Sequence, residues 1–357
     1  MKKKSSIVFI SLLLIVSSII FSGCGAKQQA TTDQPKTLKK ITIGYSPAGG
    51  SSLLTFIALD QGYFKEAGLD VELLPFTSTA DGLNALNSGK IDLGIGFGTA
   101  GPLTLDNNGA DLVIIGGSLA GGHPIITTQE KADQFKTIED YRGKTVASPR
   151  LYTADIVFRG ALVKAGIDTK KDLDILEMKS PNAVLEAVKS GKVDVGIGST
   201  AVYAPAKQAG LAIVGWSNDF FPDHPCCRVV TTGKLLKSDT QRFQAFLEGI
   251  IRAEKIKAEN PDLAVAINNK FLKLDEALIR DFTLEPHQIN SSDPNRKGVI
   301  RTFNEMVAMG YIQPQIDPAN YINIDLYQKA LAKVLKTYPD DSFFKGLEKR
   351  FEEQNLN

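Results

Sequence analysis

Cysteine, histidine and tryptophan are scarce in this 357-residue chain, which has three cysteines, three histidines and one tryptophan. The histidines, His123, His224 and His287, are far apart in the sequence and form neither an H-E-x-x-H motif nor another paired metal spacing. A G-x-S-x-G nucleophile elbow is also missing. These absences leave little support for an enzyme, and we expect no cofactor and no bound metal.

Excess charge of one sign is missing too, and so are long apolar runs in the body of the chain. The formal net charge is +1, which argues against nucleic acid or an acidic membrane surface as the main partner. One apolar run of 15 residues, Ile7 to Phe21, follows Lys2, Lys3 and Lys4. A charged start with a short apolar run is typical of an export signal, and this run is short for a membrane span.

The predicted export signal ends in a candidate lipidation site. Ser22 and Gly23 stand directly before Cys24, as in a lipobox, although Phe21 replaces the usual leucine. We therefore predict a signal peptide over 1–23, a lipidated Cys24 and a polar tether over 24–38, on the outer face of the cell membrane. The alternative is cleavage elsewhere, with Cys24 incidental. Without Cys24 an even number of cysteines remains, as is common in exported proteins.

Two segments of the chain repeat each other at a distance of 102 residues. "NSGKIDLGIG" and "KSGKVDVGIG" align on Gly89 and Gly191. The first copy begins with a predicted strand "ITIGY", a loop and a helix over 51–68 with Ser51 as N-cap. A strand "LDVELLPF", a helix over 80–87 and the strand "IDLGIG" follow. The second copy has "KTVAS", "PRLYT", "ADIVFRGALVKAG", "LDILEM" and "VDVGIG" in the same order. The pairs Ser46-Pro47 and Ser148-Pro149 also align at 102.

This duplication predicts an α/β protein of two similar lobes, each a mixed, mostly parallel sheet flanked by helices. Lobe 1 is predicted over 39–120 and 229–357 with C-terminal helices, and lobe 2 over 121–228. "HPCCRVVTTG" is expected to be a strand that returns from lobe 2 to lobe 1. Gly116-Gly117 with Gly121-Gly122 suit a hinge where the chain passes from lobe 1 to lobe 2. Ligands of such sheets bind beyond the carboxyl ends of the strands, so both lobes should face one cleft.

The stretch "ALDQGYFKEAGLDVEL" with "ALNSGKIDLGIGFGTA" resembles the substrate-binding proteins of ABC importers for sulfonates, taurine, nitrate and thiamine pyrimidine precursors. The resemblance covers roughly 40–235. It implies a type II periplasmic-binding-protein fold, a two-lobed clamshell that closes on one small molecule. It also implies an ABC permease and its ATPase as partners, and we expect a monomer.

Loops and helix starts that face the predicted cleft supply the candidate ligand-binding residues. Helix N-termini carry unpaired N–H groups that attract anions, although the same Ser and Thr residues also serve as plain N-caps. Arginine offers bidentate binding of sulfonate, carboxylate or phosphate. The candidates at these places are Ser46, Gly50, Ser51, Ser52, Gly96, Phe97, Gly98, Thr99, Arg150, Tyr152, Thr153, Ser199 and Thr200.

Four further candidates lie in or before the predicted return strand. Trp216 either walls the ligand or fills the core. Cys226 and Cys227, with Arg228 beside them, are expected to border the cleft. The two cysteines could be plain thiols that alternate between core and solvent, a strained vicinal disulfide, or part of a metal site with His224.

A solute-binding protein is the function that this sequence favours. One alternative is an enzyme similar to the iron-dependent pyrimidine synthase, which has a related fold and a cysteine-rich motif. The other is a ligand sensor that takes no part in transport. The sequence does not name the ligand, which could be anionic or heteroaromatic.

Overall fold

The computed structural model describes residues 38–47, 50–150 and 152–356. The predicted signal peptide, Cys24 and the predicted tether up to residue 37 lie outside these residues. No helix within the described part is both long and apolar enough to cross a membrane.

Two mixed sheets form the framework of the protein. The first has six strands in the order β11-β4-β10-β3-β1-β2, with bounds β1 Lys39–Tyr45, β2 Leu69–Pro75, β3 Leu93–Ile95, β4 Leu112–Gly121, β10 Pro225–Thr232 and β11 Gln288–Ile289. The second has five in the order β7-β6-β8-β5-β9, with bounds β5 Pro124–Thr127, β6 Thr145–Pro149, β7 Asp174–Met178, β8 Val195–Ile197 and β9 Ala212–Trp216. Strand pairs inside each repeat are parallel, whereas β5, β10 and β11 pair antiparallel.

Helices cover both sheets and build the C-terminal third of the chain. Those of the first repeat and the segment before β4 are α1 Leu53–Asp60, α2 Tyr63–Glu66, α3 Thr79–Asn87 and α4 Ala100–Asn107. Those of the second repeat and its surroundings are α5 Thr153–Lys164, α6 Pro181–Lys189, α7 Tyr203–Gln208 and α8 Ser217–Phe220. The C-terminal set is α9 Gly233–Ser238, α10 Thr240–Glu259, α11 Pro261–Leu272, α12 Glu276–Thr283, α13 Arg296–Ala308, α14 Ile324–Thr337 and α15 Ser342–Phe351. The predicted α/β fold with two sheets and a C-terminal helical extension is confirmed.

The duplication is present in the strand order, since β2-β1-β3 and β7-β6-β8 are arranged alike. Gly94 and Gly196, in the third strand of each repeat, are 102 residues apart, but their partners Gly44 and Ala147 are 103 apart. The alignment of Ser46-Pro47 with Ser148-Pro149 is therefore wrong by one residue. The first repeat has one more residue between its first and second strands, and the extra residue shifts the register there.

The predicted single helix over 51–68 is divided into two. Its first part is α1, preceded by a 3₁₀ turn over Gly50–Ser52, so that Ser52 rather than Ser51 occupies the N-cap. Its second part, α2, follows Gly62, whose φ of 74° lies in the left-handed region. A helix cannot continue through that conformation, and glycine adopts it without a Cβ clash.

The core of the first sheet is completed by the long C-terminal helix α10. The apolar side of α10 is buried, with Phe243 and Leu247 fully inaccessible, and it belongs to the same apolar cluster as Ile41 and Ile43. The helix α10 thus packs on the first sheet, whereas α11 and α12 share an apolar cluster with α7 of the second repeat.

The glycines that were predicted to form a hinge have two different roles. Gly116 and Gly117 lie inside β4, and a Cβ on Gly117 would stand 2.2 Å from the carbonyl oxygen of Asp293. They permit close packing inside the sheet, and a hinge at this pair stays a prediction. Gly121 and Gly122, with φ of 63° and 82°, do lie where the chain passes from the first sheet to the second.

Candidate functional site

A cavity of about 450 Å³ lies between the two sheets. It is lined at the carboxyl ends of all six parallel strands, by Ser46, Phe76, Gly96, Arg150, Lys179 and Ser199. The walls are completed by His123 and by Cys226 and Cys227, where the chain crosses between the sheets. The carboxyl ends of the parallel strands of both repeats therefore face one cleft, as the sequence predicts.

Four helices begin at the wall of this cavity. Lining residues at or near the first turns of α3, α4, α5 and α6 are Thr79, Gly101, Thr153 and Pro181. Unpaired N–H groups at helix N-termini carry partial positive charge, so these four helices together favour a negatively charged ligand.

The loop after β3 brings the backbone close to the cavity. Gly96 and Gly98 have φ of 80° and 78°, a region that favours glycine. A Cβ on Gly96 would lie 2.4 Å from the hydroxyl oxygen of Ser51. Phe97 between them is buried and meets Phe76 edge to face, with ring centroids 5.9 Å apart. The loop thus presents both backbone polar groups and an aromatic wall.

Most of the predicted site residues line this cavity. They are Ser46, Ser51, Gly96, Phe97, Gly98, Arg150, Tyr152, Thr153, Ser199, Thr200, Cys226 and Cys227. The Ser199 hydroxyl is buried and makes no hydrogen bond within the described part of the chain. The Thr153 hydroxyl donates to the carbonyl oxygen of Cys226 at 3.1 Å, so it already has one partner.

Five predicted site residues, Gly50, Ser52, Thr99, Trp216 and Arg228, lie outside the lining of the cavity. The Thr99 hydroxyl donates to the carbonyl of Pro225 at 2.7 Å, and that of Ser52 to the carbonyl of Ser46 at 3.1 Å. Arg228 is 1% exposed and donates to the Leu119 carbonyl. The hydroxyls of Ser52 and Thr99 and the guanidinium of Arg228 therefore already donate hydrogen bonds to backbone carbonyls.

Trp216 packs away from the cavity. Its ring stacks on that of His287 at 4.3 Å between centroids. Of the two alternatives for Trp216, packing is the one that the structure supports. Gly50 lies in the 3₁₀ turn before α1, where its carbonyl accepts a hydrogen bond from Asn290 at 2.8 Å.

Sequence analysis missed the lining residues that follow the second strand of each repeat. These are the segment from Thr77 to Ala80 with Leu83 and Asn84, and Lys179 with Pro181 in the other repeat. These residues could have been predicted from the sequence, because ligands of such sheets also bind beyond the carboxyl ends of β2 and β7. Ser78 and Ser180, 102 residues apart, each cap the following helix with the side-chain oxygen.

The charged lining residues are cationic. Arg150 and Lys179 reach the cavity, and none of its lining residues in the described part of the chain is Asp or Glu. Arg150 has Glu177 beside it at 3.4 Å, with both side chains about half exposed, so its charge is partly balanced. Lys179 has no ion-pair partner among the described residues. The net charge at the wall is therefore positive.

A cluster of two histidines and two cysteines lies at the floor of the cavity. His123 Nδ1 is 3.0 Å from His224 Nε2, and His123 Nε2 is 3.2 Å from Cys226 Sγ. The sulfur atoms of Cys226 and Cys227 are 3.2 Å apart and both thiols are free. All four residues are buried.

The hydrogen bonds fix the tautomers of both histidines. Burial lowers the pKa of His224 to about 4 and that of His123 well below its usual range, so both rings are neutral at pH 7. His224 Nδ1 donates to the Phe221 carbonyl, which leaves its Nε2 as an acceptor. His123 Nδ1 must then donate to it, and His123 Nε2 accepts from the Cys226 thiol.

This cluster does not amount to a metal site. Among the described residues, no three or more His, Cys, Asp or Glu side chains are arranged to hold a metal ion. The third alternative for the cysteine pair, a metal site with His224, has no support in this geometry.

Comparison with known proteins places the chain in a family. A family model described as NMT1/THI5 like matches residues 50–264, more than half of the chain. A protein of Brucella abortus (strain 2308) that is described as a binding protein is 25% identical over 304 residues. The alignment covers 80% of this chain and 91% of that relative.

Solved structures share the fold. The aliphatic sulphonate binding protein SsuA from Escherichia coli has a TM-score of 0.68 at 20% identity, covering 81% of this chain and 99% of SsuA. The nitrate-binding protein NrtA from Synechocystis PCC 6803 has a TM-score of 0.70 at 16% identity, covering 85% and 91%. The predicted resemblance is confirmed for family and fold.

Proposed function

Because this chain belongs to the NMT1/THI5-like family, we propose that it captures a small organic anion outside the cytoplasm and delivers it to an ABC permease and its ATPase. The observation that carries this proposal is a cavity between two sheets whose charged lining residues are Arg150 and Lys179. The neighbouring N-termini of four helices add partial positive charge to the same wall.

The ligand is proposed to combine an anionic group with an apolar part. Phe76, Leu83, Phe97 and Leu105 of the first repeat line the cavity, whereas Arg150 and Lys179 come from the second repeat. A volume of about 450 Å³ is in the range of sites for small organic molecules. Nitrate alone would leave most of that volume unfilled, so an organic sulfonate fits these walls better. Proteins of the same fold are described as sulphonate-binding and nitrate-binding.

Titration calorimetry with alkanesulfonates of increasing chain length, nitrate and an aminopyrimidine tests the proposed ligand class. We expect alkanesulfonates to bind more tightly as the chain lengthens, because each buried CH₂ contributes about 0.8 kcal/mol. Lys179→Gln and Arg150→Gln should each weaken binding by about 1–3 kcal/mol, as expected for a charged hydrogen-bonding partner. Lys189→Gln, at the far end of α6, is the matched control. Tight binding of the aminopyrimidine alone would contradict an anionic ligand.

The proposed location rests on lipidation of Cys24, which follows an export signal and precedes a polar tether. The full chain should fractionate with membranes, and Cys24→Ser should shift it to the soluble fraction or leave the precursor unprocessed. Membrane fractionation with intact mass measurement checks this. A Cys24→Ser protein that stays in the membrane fraction with the processed mass would contradict the anchor.

A further inference from the structure

The two cysteines of β10 point to the same side of their strand. Successive residues of a regular strand face opposite sides. The pairing of β10 with β4 shifts register between Pro225 and Cys227 and again between Cys227 and Arg228. This bulge places both sulfur atoms at the cavity wall, 3.2 Å apart. The prediction that one thiol faces the core and the other faces outward is wrong for this reason.

The pair is chemically asymmetric. The Cys227 pKa is lowered because its thiolate can accept the Cys226 S–H, which then turns from His123 Nε2 to Cys227, and it is lowered further by the backbone N–H of Gly98 and the charge of Arg228. The Cys226 pKa is raised by its hydrogen bond to Cys227 and by burial. Cys227 is therefore the member of the pair that ionises first, and Cys226 keeps its proton.

His123 holds Cys226 in place. While both thiols are protonated, its Nε2 accepts from the Cys226 thiol, and its Nδ1 is fixed by His224 and lies 3.2 Å from the Ser217 hydroxyl. The Cys226 carbonyl accepts a hydrogen bond from the Thr153 hydroxyl, and the Thr99 hydroxyl donates to the neighbouring Pro225 carbonyl. A buried network of this kind restricts the sulfur to one position.

We infer that Cys226 and Cys227 form a reversible oxidation site in the wall of the ligand cavity, with small disulfide molecules as the oxidant. The site does not depend on the ligand proposed above. The observations that carry it are the adjacent sulfur atoms, their access to the cavity, and the fixed hydrogen bonds that orient Cys226.

Oxidation proceeds by two exchange steps. The Cys227 thiolate attacks one sulfur of the small disulfide RSSR, which forms a mixed disulfide on Cys227 and releases RS⁻. Cys226 sulfur then attacks the Cys227 sulfur, and its proton leaves with the second RS⁻. The protein loses two hydrogen atoms, and one RSSR is reduced to two RSH molecules.

The product is expected to be easily reduced. Adjacent Cα atoms are about 3.8 Å apart, below the usual separation of roughly 4.4–6.8 Å in disulfides. A strained disulfide has a more oxidising potential than a structural one, and strained disulfides are the labile ones. The site therefore suits reversible oxidation rather than stabilisation of the fold.

Intact mass measurement on the full chain with Cys24→Ser, which keeps only these two cysteines, tests the inference. Incubation with hydroxyethyl disulfide should remove two hydrogen atoms without leaving an adduct, and a reducing phosphine should reverse the change. Oxidised thioredoxin, a protein too large for the cavity, should react far more slowly. Two persistent thiols in the folded protein, under conditions that oxidise the urea-unfolded chain, would overturn the inference.

Single variants test the separate roles of the two cysteines. Cys226→Ser should stop at the mixed disulfide on Cys227, and Cys227→Ser should react about tenfold more slowly, because the more acidic thiol is lost. Equal rates of adduct formation in the two variants would contradict the assigned roles. Circular dichroism shows whether each variant is folded, and the wild-type mass measurement decides the inference if one is not.

His123→Gln tests the positioning role of the imidazole. Its amide retains an acceptor for the Cys226 thiol but lacks the fixed ring geometry. We expect the first step to keep its rate and the second to slow, so that the mixed disulfide accumulates. Disulfide formation without any detectable adduct in this variant would show that His123 does not position Cys226.

Discussion

At the scale of single residues, Asp106 is a buried carboxyl group with a structural hydrogen bond. It lies in the last turn of α4 and is 1% exposed. Its Oδ1 accepts from the backbone N–H of Leu112 at 2.8 Å. Burial raises its pKa to about 8, and the hydrogen bond from Leu112 opposes that rise. This acid is therefore protonated at neutral pH in the folded protein.

Asp106 should make the stability of the protein depend on pH. The unfolded chain loses this proton near pH 4, whereas the folded protein keeps it to about pH 8. Its contribution to stability is complete below about pH 4 and is lost as the pH rises through about 8. The free energy of unfolding, relative to Asp106→Asn, should fall by roughly 1 kcal/mol per pH unit between these limits.

Urea denaturation at about pH 5 and about pH 8 measures this effect. In Asp106→Asn the amide keeps an acceptor oxygen for Leu112 but cannot ionise, so the variant should show a flatter pH profile than the wild type. Asp133→Asn is the control, because its side chain is 97% exposed. Parallel pH profiles for the wild type and Asp106→Asn would show that Asp106 titrates normally.

At the scale of elements, the loop after β3 and the turn before α1 fit together at the cavity. Gly96 has a positive φ and approaches the Ser51 hydroxyl closely. Gly89 has a similar φ of 75°, but nothing lies within 4 Å of the position of its Cβ. The two glycines thus share one backbone conformation in different surroundings.

Gly96→Ala should cost more stability than Gly89→Ala. Both variants place an alanine in the left-handed region, at a cost of about 1–2 kcal/mol. Only the Gly96 variant also pushes a methyl group against Ser51, which adds overpacking of about 1–3 kcal/mol. Thermal and urea unfolding of both proteins compare the costs, and alkanesulfonate titration should show weaker binding for Gly96→Ala alone. Equal destabilisation would mean that Ser51 moves aside freely.

At the scale of the whole molecule, one tyrosine connects the C-terminal helices to the second sheet. Tyr311 follows α13 and packs against the apolar cluster of the first sheet. Its hydroxyl donates to Asp155 Oδ2 at 2.5 Å, in the first turn of α5. The guanidinium groups of Arg150 and Arg159 lie over its ring at 5.2 and 5.4 Å. Because Arg150 also lines the cavity, this contact lies beside the ligand site.

Tyr311→Phe should loosen the contact between the C-terminal helices and the second sheet. The variant removes the hydrogen bond to Asp155, a buried carboxylate that keeps its bonds to Ser148 and Arg159. We expect a larger radius of gyration by small-angle scattering without ligand, and weaker alkanesulfonate binding. Tyr338→Phe, at a surface position 37% exposed, is the control. Identical scattering curves for the wild type and Tyr311→Phe would contradict this role of Tyr311. The predicted lobe boundaries stay a prediction until such motion is measured.

The sequence by itself determined the repeated elements and the side of the sheets that binds. Strands and helices follow from local periodicity, and Ser78 and Ser180 cap helices through contacts within a few residues. Since the carboxyl ends of parallel strands share an edge, knowing the strands was enough to place Arg150 and Ser199 in one cavity.

Tertiary structure alone decided which polar groups remain free for a ligand. Thr99 and Thr153 both lie at helix starts, and both hydroxyls donate to carbonyl oxygens of the returning strand β10, yet only Thr153 lines the cavity. Likewise the contact of His123 with Cys226 joins residues 103 positions apart, and the bulge that turns both cysteines inward arises from pairing with β4. Such contacts depend on how distant segments pack, and no local pattern encodes that packing.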